Sequence, residues 1–179
     1  MIKDRIALAE HFASLGFTRG AEVGVADGRY SEILCQKIQG LELIGVDVWA
    51  EYDGNWRSSE YQDNAYRRAR ERLEKYGVKL IKNTSLEASR DIPDNSLDFV
   101  FIDGSHLFDN VMLDILLWIP KVRKGGIISG HDYYQFKNSG IIQAVNSYVE
   151  EHKLDLNLTL AGVAEHKDDQ CPCWWIIKR

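Results

Sequence analysis

Ala21-Glu22-Val23-Gly24-Val25-Ala26-Asp27-Gly28 is the stretch whose reading decides the fold. A short apolar strand over about 21–25 runs into a glycine-bearing turn, and a helical pattern follows over about 30–39. Glycines at 24 and 28 let the backbone turn sharply and let a ligand approach where a Cβ would collide. A strand, a glycine turn and a helix that open a βαβ unit form a nucleotide-binding crevice. The spacing Glu-x-Gly-x-x-x-Gly is not the dinucleotide fingerprint Gly-x-Gly-x-x-Gly. A pyrophosphate in this turn would lie beside Glu22 and Asp27, and like charges about 4 Å apart repel by roughly 1 to 4 kcal/mol. The turn therefore suits a cation better than a phosphate.

Outward from this stretch, a second apolar strand over about 42–47 ends on Asp47, an acid placed to take the two hydroxyls of a ribose. An adenosine with a positive, phosphate-free tail satisfies both features, and S-adenosylmethionine is such a ligand. A third strand, 78–82, leads into Asn83-Thr84-Ser85, whose short polar side chains suit a helix N-cap. The run 97–102 is nearly all apolar, the pattern of a strand buried on both faces, and it ends at Asp103-Gly104-Ser105-His106. Lys124-Gly125-Gly126 turns into a fifth strand over 127–129, which ends at Gly130-His131-Asp132. Helical patterns occupy 2–15, 58–76, 109–119 and 139–151; in the helix at 109–119 Val111, Ile115, Leu116, Trp118 and Ile119 form the core side. The first helix covers the sheet edge or forms a partial lid. Segments 154–162 and 173–178 read as an antiparallel hairpin. The expected architecture is α/β: a Rossmann-like, doubly wound, mostly parallel sheet with a C-terminal antiparallel hairpin.

The runs GAEVGVADGRYSEIL, LIGVDVW, LDFVFIDGSHLFDNVMLDI and KGGIISGHDYY, in that order, resemble the class I S-adenosylmethionine-dependent methyltransferases. More narrowly they are similar to a small group carrying an IDGxH segment, related to metal-dependent sugar and catechol O-methyltransferases. The resemblance implies cofactor contacts at Glu22, Gly24, Val25, Gly28, Asp47, Val48, Ser85, Leu86 and Asp103. It also implies a divalent ion, magnesium or manganese, at Asp103, His131 and Asp132. The match departs at His131, where those relatives mostly carry a carboxylate; an imidazole moves preference away from magnesium and calcium. His131 reads equally as a general base, with His106 supporting it and Asp103 completing the catalytic set. Trp49, Tyr52 and Trp56 lie in a polar loop where an aromatic ring packs on adenine or anchors the loop, and Trp49 is the adenine neighbour nearest Asp47.

The implied reaction is transfer of the sulfonium methyl to a hydroxyl of a small molecule, sugar-like or natural-product-like. The alternative is a module that binds S-adenosylmethionine or its product without turnover. A nicotinamide oxidoreductase is disfavoured by Asp27 and the missing third glycine. Methylation of nucleic-acid bases is disfavoured because Ile-Asp-Gly-Ser-His, not an Asn/Asp-Pro-Pro-Tyr motif, follows the fourth strand.

The totals agree. With 179 residues and 45% hydrophobic content the chain reads as one domain, 1–179, with a proper core. The net charge of −5 argues against a dedicated nucleic-acid partner. The basic run Arg67, Arg68, Arg70, Arg72 is interleaved with acids and reads as a solvated helix face, with Glu71 and Lys75 as an i,i+4 pair. No apolar run approaches the roughly 18 residues of a membrane span, and 1–5 lacks a signal-peptide core, so the expected setting is cytoplasmic, away from membranes. Three cysteines do not suggest a disulfide framework; Cys35 reads as a small core residue.

Overall fold

An apolar run without a polar face has to be covered on both sides, and one seven-stranded sheet does this. The computed structural model describes residues 2–51, 57–137, 139–162 and 170–179. The strands are β1 (Arg19–Val23), β2 (Glu42–Asp47), β3 (Lys79–Lys82), β4 (Leu97–Ile102), β5 (Val122–Gly130), β6 (Asn157–Leu158) and β7 (Trp174–Ile177). Their order is β3-β2-β1-β4-β5-β7-β6. β1 to β5 pair in parallel, and β7 is antiparallel to both β5 and β6. The order reverses between β1 and β4, and the crevice beyond the carboxyl ends at such a reversal is where open α/β sheets bind ligands.

Alternation along β4 divides the core. Phe99 and Phe101 point to one face, where Leu8, Phe12, Tyr30 and Leu34 from α1 (Arg5–Ser14) and α2 (Arg29–Lys37) cover them. Val100 and Ile102 point to the other, against α4 (Ser85–Arg90), α5 (Phe108–Trp118) and α6 (Ile141–His152). α3 (Ser59–Leu73) packs Ala65, Ala69 and Leu73 on Val25 and Trp49.

Several expectations shift. α1 lies over the sheet face, stacking Phe12 on Phe99 at 4.5 Å, rather than along an edge. β5 begins five residues earlier than read: the Lys124-Gly125-Gly126 turn is a bulge inside the strand, with Gly125 at φ 77° and the β4 register slipping between Leu97 and Phe99. The strand read over 154–162 contracts to β6, although Thr159 N still donates to the Cys173 carbonyl at 2.9 Å and Gly162 N to that of Gln170 at 2.9 Å. Leu116, expected inside, is 53% exposed because α5 turns it to solvent. Of the basic run, Arg67 and Arg70 are exposed as read, while half-buried Arg72 reaches Glu32 at 2.8 Å and the Asp27 carbonyl at 3.1 Å, and exposed Lys75 pairs with Glu32 at 3.0 Å. These bonds tie α3 to the start of α2. Among the described residues no helix is long and apolar enough to cross a membrane.

Candidate functional site

Two cavities meet at the carboxyl rim of the sheet, sharing Gly24 and Gly104. The smaller, about 280 Å³, lies between the ends of β1 and β2, the start of α4 and the first turns of α5. Val46, Val48, Leu86 and Leu113 give it apolar walls, and Asp47, Ser85 and Asp114 are among its polar groups. The larger, about 750 Å³, brings together Glu22, Asp103, His106, His131 and Asp132 with Arg5 from α1.

Asp47 closes β2 at the wall of the smaller cavity. Its Oδ2 accepts from Ala26 N at 2.8 Å and its Oδ1 from Trp49 N at 3.0 Å. Both residues are left-handed, at φ 50° and 39°, a conformation costly for side chains larger than glycine. One carboxylate thus fixes two strained turns while each oxygen keeps a lone pair for a ligand hydroxyl.

Glu22 is 1% exposed and accepts a hydrogen bond from Ser31 Oγ. Burial pushes its carboxyl up to about 8 against the pull of that bond and of Arg5. Asp27 is bridged to Arg29 at 3.1 Å and faces Arg68 at 4.0 Å. The repulsion that these two acids were expected to exert on a phosphate is therefore smaller than unit charges would give: one holds a proton near neutral pH and the other is paired.

The glycines make room for protein rather than for ligand. A Cβ on Gly24, at φ 94°, would run into the Asp103 carbonyl oxygen, and one on Gly28, at φ 81°, would crowd Leu73 at 3.0 Å and Ala69 at 3.3 Å. Gly24 still lines both cavities, whereas Gly28 lines neither, being the left-handed N-cap of α2 packed on α3. Trp49 also departs from expectation. Its ring is 1% exposed, Nε1 donates to the Ala26 carbonyl at 2.8 Å, and it packs on Tyr66 at 4.6 Å, so it anchors the loop instead of lining the cavity. Tyr52 and Trp56 lie outside the described residues.

Asp132 is the hub of the larger cleft. It leaves β5 at φ 56°, with Oδ1 3.1 Å from His131 Nδ1 and Oδ2 3.1 Å from His106 Nε2. Burial works against its charge, but the bonds from His106 and His131 outweigh burial and hold the carboxyl well below the usual carboxylate range. The bond to Asp132 raises His106; for His131 burial pulls downward, and Asp132 and Asp103 win. Asp103 lies 3.9 Å from both His131 Nδ1 and an Arg5 guanidinium nitrogen, and burial raises its carboxyl despite them. The two imidazoles differ in access. The His106 side chain is 44% exposed, whereas that of His131 is 6% exposed and its Nε2 is buried with no partner among the described residues.

Asp103, His131 and Asp132 each offer one ligand atom, all within 4.8 Å of one another. Two carboxylate oxygens and one imidazole nitrogen suit a divalent cation, with manganese favoured over calcium by the nitrogen. The unpartnered Nε2 is the feature that does not match, since a ligating imidazole ordinarily donates its second N–H.

The sequence reading missed Arg5, Arg57, Tyr61, Tyr134 and Cys171, which also line the cleft, and Asp114 in the smaller cavity. Asp114 left a signal: it is the one carboxylate at the buried spacing of Val111, Ile115 and Trp118. The others reach the rim through tertiary packing and left none.

A seven-stranded sheet of this order, with a carboxylate closing β2 and an acidic cluster closing β4 and β5, is the class I methyltransferase architecture. The chain belongs to a methyltransferase domain family, whose family model matches residues 21–133. Among relatives it is 29% identical over 120 residues to the uncharacterized protein y4gI of Sinorhizobium fredii, covering 64% of this chain and 13% of that one. It is 26% identical over 133 residues to the uncharacterized protein R132 of Acanthamoeba polyphaga mimivirus, covering 73% and 58%. The chain thus spans under two thirds of the length of each of these relatives. The fold is similar to an O-methyltransferase from Bacillus cereus solved in complex with SAH, at TM-score 0.72 and 16% identity over 97% of this chain and 80% of that one. It is also similar to an rRNA methylase from Streptococcus thermophilus, at TM-score 0.65 and 16% identity over 99% and 98%.

Proposed function

We propose that this chain transfers the methyl group of S-adenosylmethionine to a hydroxyl oxygen of a small molecule, with His106 taking the hydroxyl proton. The observation that carries this reading is the Asp132–His106 pair standing in a cleft that adjoins an adenosine-sized cavity. The donor fits on two counts. Asp47 offers two acceptor oxygens to a ribose beside apolar walls, and Glu22 and Arg5 offer a carboxyl and a guanidinium to the ammonium and carboxylate of an amino-acid tail. When bound, the sulfonium supplies an already activated methyl group.

The protein's own task is to align the acceptor oxygen and take its proton. Alignment of this kind contributes several kcal/mol. With Nε2 bonded to Asp132, Nδ1 is the nitrogen of His106 left to accept a proton, and Asp132 fixes the ring and stabilises the imidazolium. The same role for His131 is less well supported, because its Nδ1 is engaged by Asp132 and its Nε2 is buried. Asp103, His131 and Asp132 would hold a divalent ion, whose charge would lower the pKa of the acceptor hydroxyl. A small acceptor agrees with the net charge of −5 and with a cleft walled by Tyr61 and Tyr134.

The test is calorimetric titration with S-adenosylmethionine and its demethylated product, with EDTA, magnesium or manganese, followed by turnover on a panel of hydroxylated compounds. Donor binding with turnover on at least one hydroxyl compound is expected. Donor binding without turnover on any acceptor would reduce the chain to a binding module, and no donor binding would remove the proposal. Metal dependence that survives Asp103→Ala, His131→Ala and Asp132→Ala would remove the ion assignment.

A further inference from the structure

Among the described residues four carboxyl groups line the larger cleft, and each is answered by a protein group. Glu22 accepts from Ser31, Asp27 is bridged to Arg29, Asp103 lies 3.9 Å from Arg5, and Asp132 is bonded to two imidazoles. Arg57 enters the same cleft from the α3 side. It immediately precedes Ser58, the N-cap of α3, whose Oγ accepts from Tyr61 N at 3.3 Å. That cap sets Arg57 against the first helical turn, and its guanidinium lies over the Tyr61 ring at 5.1 Å. Ala65, Ala69 and Leu73 seat the helix on Val25 and Trp49, so the pair stands on a packed element. The Ser59 amide donates to Glu51, so the helix end itself is taken by a protein carboxylate. A ring engages a guanidinium through its charge and supplies no lone pair to its five N–H donors. The bond from Asp132 dominates the His106 imidazole, and Arg57 is among the charges that also act on it, so the two groups lie within electrostatic reach in one cleft.

We propose that the acceptor carries an anionic group, a carboxylate or a phosphate, and that Arg57 on its Tyr61 platform receives this group while the hydroxyl is presented to His106. The inference rests on the reading of the larger cleft as the acceptor site and adds the chemical class of the acceptor. A guanidinium fork matches either oxyanion with two parallel N–H bonds, which fixes direction as well as charge. The acids of the cleft oppose such a ligand little. Asp27, Asp103 and Asp132 face cationic side chains, and burial keeps Glu22 protonated near neutral pH. Anchoring at Arg57 holds one end of the acceptor while its hydroxyl meets the base at the other, which is the alignment that the transfer requires. An uncharged hydroxyl compound would use the same base and gain nothing from the guanidinium.

The experiment measures methyl transfer by the whole chain to matched pairs: gallate and methyl gallate, glucuronate and glucose, glucose 6-phosphate and glucose. In at least one pair the anionic member is expected to show a kcat/KM about ten- to a hundredfold higher, carried mainly by KM, the range for a hydrogen bond to a charged group. The phosphate pair set against the other two tells the two oxyanions apart. Arg57→Gln is expected to shrink that preference to about threefold or less, and Arg57→Lys, which keeps the charge without the fork, to leave an intermediate one. In case these variants fold poorly, the preference in the unaltered protein is expected to weaken severalfold as ionic strength rises from about 0.02 M to about 0.5 M. Equal kcat/KM within every pair, a preference indifferent to salt, or one that survives intact in a folded Arg57→Gln overturns the assignment. Turnover confined to the uncharged members, or donor binding with no anionic member methylated, overturns it as well; the first of these leaves the methyltransferase reading standing. Failure of S-adenosylhomocysteine to bind is a different result: it removes the methyltransferase reading, and this inference with it.

Discussion

The two cavities at the sheet rim are made of different material. In the smaller one the key carboxylate, Asp47, is bonded to backbone amides of Ala26 and Trp49. In the larger one the carboxylates meet side chains: Asp103 lies 3.9 Å from Arg5, Asp27 is bridged to Arg29, and Asp132 is bonded to two imidazoles. A charge held by backbone is fixed with the fold, whereas one held by a side chain can be exchanged for a ligand or a proton. The first arrangement suits one invariant ligand; the second suits proton transfer and a variable acceptor.

The comparison is tested most severely at His106. If the larger cleft does the proton chemistry and the smaller only holds the donor, His106→Ala should lower kcat by about 10²- to 10⁴-fold, the usual range for a general base. Affinity for S-adenosylhomocysteine should stay within about twofold, since the residue lies outside the smaller cavity. His131→Ala should lower kcat less than His106→Ala does and should also cost stability, as its imidazole is buried. Single-turnover kinetics with parallel thermal melts separates these outcomes; the reverse ranking would hand the base role to His131.

The mirror experiment is Asp47→Ala. It removes two charge-assisted bonds to left-handed turns as well as the proposed ribose acceptors, so donor affinity should fall by about tenfold to a hundredfold. The melt should also shift, because each bond of this type contributes about 1.5 to 3 kcal/mol. Asp47→Asn, which keeps one acceptor, should fall between. A variant that binds donor normally yet turns over slowly would erase the division between the two cavities.

The same division explains what could be read in the chain. β2 and β4 were legible to the residue, because an apolar run bounded by turn residues leaves few places for its ends. Asp47, Ser85, Asp103, His131 and Asp132 follow from strand ends, and a parallel sheet necessarily brings those ends to one rim. Trp49 was misread because sequence marks an aromatic residue in a loop but not the direction of its side chain; a left-handed backbone turns this one inward against Tyr66. Gly28 was misread because a helix packing on a turn excludes a Cβ just as a ligand does. Arg5 and Arg57 could not have been found, since only the seating of α1 and the start of α3 brings them to the cleft.

Glu22 lies on the boundary between the two kinds of construction, and the smallest effect expected belongs to it. It is buried like Asp47, but its partners are the Ser31 hydroxyl and the distant charge of Arg5, so burial wins and the carboxyl titrates near 8 instead of 4.5. The folded protein therefore holds a proton that the unfolded chain gives up at lower pH. Wherever the folded state binds more protons, stability falls as pH rises, so this residue should withdraw stability progressively between about pH 4.5 and 8 and change nothing above that. Glu22→Gln, which stays neutral, should lack that slope: its melting temperature relative to the unaltered protein should climb by a few degrees from pH 6 to pH 8. A ligand ammonium beside Glu22 favours the ionised form. Binding S-adenosylmethionine at pH 7 should accordingly release up to about one proton, seen as a dependence of the calorimetric heat on the ionisation enthalpy of the buffer, and Glu22→Gln should abolish it. Buffer-independent heats in the unaltered protein would place the ammonium elsewhere and leave Glu22 as a buried acid with a purely structural bond to α2.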